Sequence, residues 1–286
     1  MHRVLAALPA PWVASDWAPT FLIGCGRSGT TILGELFGSH PDVVYLNEPR
    51  YLWRAVDPRT DVWSPNPHRR GARLRMDEND ADPIRCARYR RVFWYRARLS
   101  GRRRLLEKTP VNVFRLRLIR HVFPKAHYLV IHRHPLDVAR SMARQPGWFS
   151  SHGAFRWCQL RELALADGFE ADWLDGVQTD LERGIVEWTL AIGAIERDRP
   201  DGESGRVVTV RYEDLLRDSR GHLERLARHM GLEPNPRWSS QASARLLAPK
   251  PGAGPWPSRW HPRTLERMHR LGYAPDGSTQ DVSEGA

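Results

Sequence analysis

The sequence has few cysteines and no long apolar run. Its three cysteines, Cys25, Cys86 and Cys158, are widely spaced, so they form neither a CxxC metal pair nor a disulfide framework, which favours a reducing compartment. The apolar run within residues 1–17 is too short for a transmembrane helix, and prolines interrupt it. The same stretch is a poor signal peptide, because its apolar core is truncated. We therefore expect a cytoplasmic protein without a membrane span.

Lysine is also scarce. Only three of the 44 basic residues are lysines, and the 33 acidic residues leave a net charge of +11. Such a charge suits nucleic acid, a membrane surface or anionic small molecules. The arginines are spread over most of the chain and are not interleaved with aromatic residues, as they would be in a single-strand binding groove. We predict no nucleic-acid partner, and a noncatalytic basic nucleic-acid-binding protein stays as an alternative.

No sequence repeat or long low-complexity tract divides the 286 residues, so we expect one domain over residues 1–286, with its core at 20–273. Short apolar runs alternate with stretches of helical periodicity, which is typical of α/β proteins. The pattern predicts a P-loop-type three-layer sandwich, in which helices flank a central parallel sheet of about five strands. Residues 57–83 are expected to form a surface loop or lid, and residues 275–286 a disordered tail.

Residues 145–183 form a further aromatic-rich segment, which we interpret as a helical insertion on the substrate side. Its aromatic residues are Trp148, Phe149, Phe155, Trp157 and Trp173. Such residues can wall a substrate pocket. Burial in the core is the favoured interpretation for each of them taken singly.

Residues 20–31, TFLIGCGRSGTT, indicate a strand, a glycine-bearing turn and the start of a helix. Such a loop directs backbone N–H groups and the positive end of a helix dipole at one spot, so it can bind an anion. Arg27 adds a charge, and the hydroxyls of Ser28, Thr30 and Thr31 add hydrogen-bond donors. A turn that only joins a strand to a helix does not need these residues. The stretch therefore predicts a phosphate-like site.

Two general phosphate-loop patterns can be tested on this stretch. The Walker A pattern requires a lysine where Thr30 stands, so an ordinary ATPase or GTPase is disfavoured. The dinucleotide pattern GxGxxG is matched by Gly24, Gly26 and Gly29, and Glu48 lies about where an acidic ribose ligand would lie. A nicotinamide-dependent oxidoreductase is therefore an alternative function.

A second anion site is predicted in residues 132–145, HRHPLDVARSMARQ. Pro135 suits the first turn of a helix, and Asp137 complements the helix dipole there. Arg133 at the end of the preceding strand and Ser141, which points back towards the helix start, can converge on one small anion. An oxidoreductase would leave this motif without a purpose.

With RSGTT and RHPLDVARS both present, the sequence resembles sulfotransferases that use 3′-phosphoadenosine 5′-phosphosulfate (PAPS). It is most similar to bacterial members and to the tyrosylprotein sulfotransferase branch. The resemblance covers most of residues 20–273 and includes the eight-residue step from Arg133 to Ser141. It implies PAPS as sulfuryl donor, 3′-phosphoadenosine 5′-phosphate (PAP) as product and no metal. The acceptor would be a small molecule or glycan with a hydroxyl, such as a carbohydrate, a phenol or a natural product.

The resemblance also implies a role for each matched residue. Arg133 and Ser141 would bind the 3′-phosphate, and Tyr212 in VRYEDLLRD would lie near the cofactor, although burial in the core is an equal interpretation of Tyr212. The late loop KPGAGPW makes Lys250 and Gly252 candidate nucleotide ligands. The residues matched to the 5′-phosphosulfate loop are Arg27, Ser28, Gly29, Thr30 and Thr31.

Glu48 in NEPR is the predicted catalytic base, because the tyrosylprotein branch carries its catalytic glutamate at the matching place. A carboxylate beside a cationic phosphosulfate site can take a proton during attack. Arg27 would stabilise the oxygens that gain charge, and Lys108 in EKTP would contact the sulfate or the leaving group. An ion pair with Arg50 is the structural alternative for Glu48. The alternative bases are His132, His134 and His152.

Overall fold

A five-stranded parallel sheet forms the centre of the structure, a computed structural model that describes residues 17–149, 153–200, 205–246 and 255–279. The strands are β1 (Thr20–Ile23), β2 (Val43–Asn47), β3 (Arg104–Lys108), β4 (His127–His132) and β5 (Val207–Arg211). Their order in the sheet is β2-β3-β1-β4-β5, and every pairing is parallel. The predicted number and direction of the strands are confirmed.

Helices connect the strands, and many of them begin where the sequence carries a start signal. Pro83, Pro135, Pro236 and Pro262 each stand in a first helical turn, where a missing N–H costs nothing. The helices are α1 (Thr30–Gly38), α2 (Arg50–Val56), α3 (Pro83–Arg98), α4 (Leu116–Val122), α5 (Pro135–Ala143), α6 (Gly153–Ala166), α7 (Ala171–Asp175), α8 (Asp180–Asp198), α9 (Tyr212–Arg217), α10 (Ser219–His229), α11 (Pro236–Ser243) and α12 (Pro262–Arg270). Short 3-10 helices span Pro58–Thr60, Pro67–Arg70, Glu78–Asp80 and Pro110–Arg115.

The sheet separates two apolar cores, because successive side chains of a strand point to opposite faces of the sheet. In β1, Phe21 and Ile23 point into one core, whereas Leu22 points into the other. The first core includes residues of α2, α3, α4 and α8, and the second includes residues of α1, α10 and α11. Because both faces of the sheet are covered, β1 is buried along its whole length. The predicted three-layer arrangement is confirmed.

Residues 57–83 differ from the expected surface loop, because part of the segment belongs to the first core. Val62, Leu74 and Met76 are buried there. The fully buried Arg115 donates hydrogen bonds to the carbonyl oxygens of Thr60 at 2.9 Å and of Leu74 at 3.1 Å, which satisfies the backbone of the segment. In the stretch RLRMD, Leu74 and Met76 alternate with charged residues, and this period of two is the sequence signal of one buried face. Val62 lies outside that pattern, and its burial depends on contacts with distant residues.

A further expectation concerns the tail. In the expected disordered tail, residues 275–279 form a turn that an isolated bridge between Tyr273 and Thr279 closes, and residues 280–286 lie outside the described part. None of the helices in the described ranges has the length and apolar character needed to cross a membrane.

Candidate functional site

The predicted site residues follow the carboxyl ends of the strands. The phosphate loop follows β1, Glu48 follows β2, Lys108 ends β3, Arg133 follows β4 and Tyr212 follows β5. Because the strands are parallel, these five ends lie along one edge of the sheet, where ligands of open α/β sheets bind. The topology thus brings together residues that are separated by as much as 185 positions in the sequence.

The phosphate loop leaves hydrogen-bond donors open. The loop turns back on itself at Arg27, with φ 70°, and at Gly29, with φ 94°. α1 then begins without a side-chain cap and without an acidic residue in its first turn, so its first N–H groups are available to an anion. The Ser28 hydroxyl is buried and has no hydrogen-bond partner among the described residues. These features fit the oxygens of a phosphate or phosphosulfate group.

Close contacts explain why two of the loop positions are glycine. A Cβ atom on Gly29 would lie 2.5 Å from Tyr212 Cδ2, and a Cβ atom on Gly26 would lie 2.8 Å from a ring carbon of Trp148. Both distances are shorter than packed side chains allow. The loop is therefore held between Tyr212 on one side and Trp148 on the other.

Lys108 and Glu48 form an ion pair beside this loop. Lys108 Nζ lies 3.0 Å from Glu48 Oε1 and 3.1 Å from Thr31 Oγ1, and it is fully buried. Glu48 also pairs with Arg50, as the structural alternative expected. Burial raises the pKa of Glu48, but the charges and hydrogen bonds of Lys108 and Arg50 outweigh it, so the pKa lies below its usual value. Glu48 is therefore ionised at neutral pH.

Glu107 holds the turn after β3 and was not identified from the sequence. Its carboxylate accepts hydrogen bonds from Trp53 Nε1 at 3.0 Å, Thr109 Oγ1 at 2.6 Å and Asn112 Nδ2 at 3.0 Å. Burial raises the pKa of Glu107 to about 7. Because neighbouring strand residues point to opposite faces, fixing Glu107 in the core directs Lys108 to the other face, towards Thr31. In the sequence, the polar residues of EKTPVN were the available sign that Glu107 takes part in a hydrogen-bonded turn.

The second predicted anion site contacts the first. Arg27 Nε donates a hydrogen bond to Ser141 Oγ at 3.0 Å, so the loop after β1 and the helix after β4 meet. The Arg133 guanidinium stacks on Tyr212, with 4.6 Å between its central carbon and the ring centroid, and donates to Asp137 at 3.4 Å. Arg133 Nε is buried and has no hydrogen-bond partner in the part of the chain that the structure describes. Ser28 Oγ and Arg133 Nε are thus two buried donors without a partner that belong to predicted anion-binding residues.

A pocket of about 460 Å³ opens beside Arg27 and Glu48. Its other walls carry Trp63 from the segment 57–83 and Trp148 from the aromatic segment. Trp148 is partly buried and does both: it packs against the first core and lines this pocket, whereas Phe149, its neighbour, is fully buried. The remaining lining residues are Arg50, Val62, Pro110, Val111, Gln145, Pro146, Gly147 and Arg156.

The buried Glu187 of α8 fixes one wall of this pocket. It accepts hydrogen bonds from Trp148 Nε1 at 3.0 Å and from Arg156 Nε at 3.0 Å, and the Arg156 guanidinium lies over the Trp148 ring. Glu187 is only 1% exposed. An acidic residue among the apolar residues of this helix was the available sequence signal.

The alternative histidine bases have other surroundings. His134 Nδ1 accepts from the N–H of Leu136 at 3.2 Å and caps α5, while its Nε2 lies 2.9 Å from the Ala274 carbonyl oxygen. Both ring nitrogens of His134 are thus occupied. Burial lowers the pKa of His132 to about 4, so this ring is neutral at pH 7. His152 lies outside the described residues.

Lys250 and Gly252 also lie outside the described residues. The chain is described again from Pro255, whose carbonyl oxygen accepts a hydrogen bond from Arg140 Nε at 3.1 Å. Arg140 precedes Ser141 in α5. Over the described ranges, no group of three or more His, Cys, Asp or Glu side chains is placed to hold a metal ion.

The chain matches the family model described as "Sulfotransferase family" over residues 19–236. It is 31% identical to the nodulation protein NoeE of Sinorhizobium fredii over 228 residues, which cover 75% of this chain and 50% of that protein. It is 28% identical to the omega-hydroxy-beta-dihydromenaquinone-9 sulfotransferase Stf3 of Mycobacterium tuberculosis over 145 residues, 50% of this chain and 33% of that protein. The chain thus spans half or less of these curated relatives. A solved sulfotransferase domain from the curacin biosynthetic pathway shares the fold, with a TM-score of 0.51 at 14% identity, covering 90% of this chain and 98% of that domain.

Proposed function

This chain belongs to the sulfotransferase family, and from that membership we propose that it transfers the sulfuryl group of PAPS to a hydroxyl of an acceptor. The observation that carries the proposal is the hydrogen bond from Arg27 to Ser141, because it joins two anion-binding motifs into one site. A donor with phosphate groups at two positions needs two such motifs. A nicotinamide cofactor would use the loop after β1 and leave Arg133 without a role.

Donor binding is assigned to the two motifs. Arg27, Gly29 and the first N–H groups of α1 hold the 5′-phosphosulfate, together with Ser28, Thr30 and Thr31. Arg133 and Ser141 hold the 3′-phosphate, and the ring of Tyr212 supports the Arg133 guanidinium. When bound, PAPS supplies an electrophilic sulfur and the leaving group PAP. The buried, unpaired Ser28 Oγ and Arg133 Nε support this assignment, since each lacks the acceptor that a bound anion supplies.

Glu48 is the proposed base. It takes the proton of the acceptor hydroxyl while the acceptor oxygen forms a bond to sulfur and the bond from sulfur to the 5′-phosphate oxygen breaks. The products are a sulfate ester and PAP, with the proton on the Glu48 carboxylate. Lys108 keeps Glu48 ionised in the resting site and lies beside Thr31, where it can neutralise charge on the departing oxygen.

The acceptor is proposed to occupy the pocket between Trp63 and Trp148, because Glu48 lines that pocket. We keep the class of acceptor as a small molecule or glycan with a hydroxyl. A cytoplasmic location is also part of the proposal, and the free state of Cys25, Cys86 and Cys158 supports it.

Calorimetric titration of the purified chain with PAP tests the donor site. We expect micromolar PAP affinity with no comparable binding of NAD or ATP. Arg133→Ala should weaken PAP binding by about 1.5–3 kcal/mol, the cost of a lost charge-assisted contact. Arg88→Ala, an exposed arginine of α3, is the matched control and should bind PAP as the wild type does. Binding of NAD without binding of PAP would refute the proposal in favour of an oxidoreductase.

A further inference from the structure

A second pocket, of about 470 Å³, lies at the opposite edge of the sheet, where β4 and β5 begin. It shares no lining residue with the pocket beside Glu48. Tyr128, which lines it, and Arg133 of the donor site stand five positions apart along β4, a distance of about 17 Å in an extended strand. The lining residues are Glu78, Arg117, Arg120, His121, Pro124, Tyr128, Pro200 and Arg206.

The charge of this pocket is positive. Among its described lining residues Glu78 is the one carboxylate, and it pairs with Arg117. The other two arginines are held by main-chain oxygens: Arg120 Nη1 donates to Asp198 O at 3.2 Å, and Arg206 Nη1 donates to Pro124 O. Within the described ranges, neither of these two forms an ion pair with a carboxylate. Their positions are therefore fixed, and no carboxylate of the described residues pairs with their charges.

A buried hydroxyl stands between these charges. Tyr128 is 2% exposed, and its Oη is buried without a hydrogen-bond partner among the described residues. Tyr128, Arg120 and Arg206 line the same pocket. Burial raises the pKa of this phenol, and the charges of the two arginines oppose that rise without cancelling it. The phenol keeps its proton at neutral pH and can donate it. A buried donor without an acceptor is unfavourable, and an acceptor bound in the pocket would satisfy it.

We propose that this pocket binds a phosphate or sulfate group of a small molecule, with Tyr128 Oη donating a hydrogen bond and Arg120 and Arg206 supplying the charge. Oxyanions of this kind accept several hydrogen bonds at once and are the partners that paired guanidinium groups prefer. The pocket is much larger than one such group, which leaves room for the molecule that carries it. This site is separate from the proposed donor site and does not depend on it.

The test uses thermal unfolding of the full chain in sodium phosphate and in sodium sulfate, with sodium chloride keeping the ionic strength constant. All proteins carry Arg133→Ala, which weakens anion binding at the proposed donor site. Arg120→Gln/Arg206→Gln is compared with Arg88→Gln/Arg98→Gln, two exposed arginines of α3. We expect at least one of the two anions to stabilise the Arg133→Ala parent in a saturable way. The apparent affinity for that anion should be at least tenfold lower in Arg120→Gln/Arg206→Gln and unchanged in Arg88→Gln/Arg98→Gln. The more effective anion identifies the group. Equal responses of both pairs, or no saturable response, would overturn the proposal.

Tyr128→Phe supplies a second readout, because its effect on the unfolding temperature should depend on whether the anion is present. In chloride alone this variant loses only an unpaired hydroxyl, so its unfolding temperature should equal or exceed that of the parent. In saturating anion it should gain less stability than the parent does. Loss of stability already in chloride, with an undiminished gain from the anion, would contradict the proposed role of Oη. A DNA oligonucleotide that displaces the anion with a steep salt dependence would overturn the assignment to a small molecule.

Discussion

Replacing Gly29 by alanine should lower both the free energy of unfolding and the affinity of the proposed donor site for PAP. At φ 94° an alanine costs about 1–2 kcal/mol, because its Cβ approaches its own backbone. The added Cβ would also lie 2.5 Å from Tyr212 Cδ2, and overpacking of this kind costs about 1–3 kcal/mol. We therefore expect the free energy of unfolding to fall by about 2–5 kcal/mol. Because Tyr212 carries the Arg133 guanidinium, its displacement should also weaken PAP binding at least tenfold, or about 1.4 kcal/mol.

Gly71 offers a matched control for this substitution. It also has a positive φ, of 60°, but a Cβ atom there would meet nothing within 4 Å. Gly71→Ala should therefore lose only the backbone part, about 1–2 kcal/mol, and leave PAP affinity unchanged. Denaturant unfolding gives the stabilities, and calorimetric titration gives the affinities. If Gly29→Ala behaved like Gly71→Ala in both assays, the packing of Tyr212 on the phosphate loop would not support the donor site.

Three further predictions concern the carboxylates of the site. Glu48→Gln should lower kcat by roughly 10²–10⁴ and leave PAP affinity within about threefold of wild type, because a base acts only in the transition state; near-normal turnover would disprove the assignment. Burial raises the pKa of Glu48, but the neighbouring cations lower it by more, so the pKa lies below its usual value. We therefore expect kcat/KM to be flat around neutral pH and to fall only in acid, below the usual range of a glutamate. An acid limb at about pH 6 would instead point to a histidine. Glu187→Gln leaves the charge of Arg156 without its buried partner and should lower the free energy of unfolding by about 3–5 kcal/mol. The substitution also weakens the hydrogen bond that holds Trp148, so KM for the acceptor should rise while PAP affinity stays unchanged.

The same Glu48 pair should also make a small contribution to stability that depends on pH. Because the folded state lowers the pKa of this carboxyl, the contribution is present above the unfolded value and is lost as the pH falls through the lower folded value.

The sequence predicted the fold and the placement of the motifs because both depend on local patterns. The apolar run before Gly24 and the proline at the start of α5 mark a strand end and a helix start without reference to the rest of the chain. Parallel strands then bring their carboxyl ends together by geometry alone. The contact of Arg27 with Ser141 follows from that topology, although nothing in either motif announces it.

The parts that the sequence did not predict depend on contacts between distant segments. Glu187 lies in a helix whose pattern indicates only an amphipathic face, and its role depends on Arg156 and Trp148 reaching it from α6 and the preceding loop. His134 was an alternative catalytic base, but its ring caps α5, because Nδ1 accepts a hydrogen bond from the N–H of a residue two positions later. In both cases the residue type allowed several roles, and only the neighbours decided among them.

The buried Arg115 has a consequence for how the specificity of this protein can change. One guanidinium binds the carbonyl oxygens of Thr60 and Arg73, so residues 61–72 form a closed loop whose two ends are fastened at the same point. This loop contributes Val62 and Trp63 to the pocket beside Glu48. The exposed residues of this loop, within 65–71, can be exchanged or extended at a small cost in closure entropy, because the ends stay fixed. The wall of the proposed acceptor pocket can thus change its sequence while the residues of the proposed donor site keep their positions.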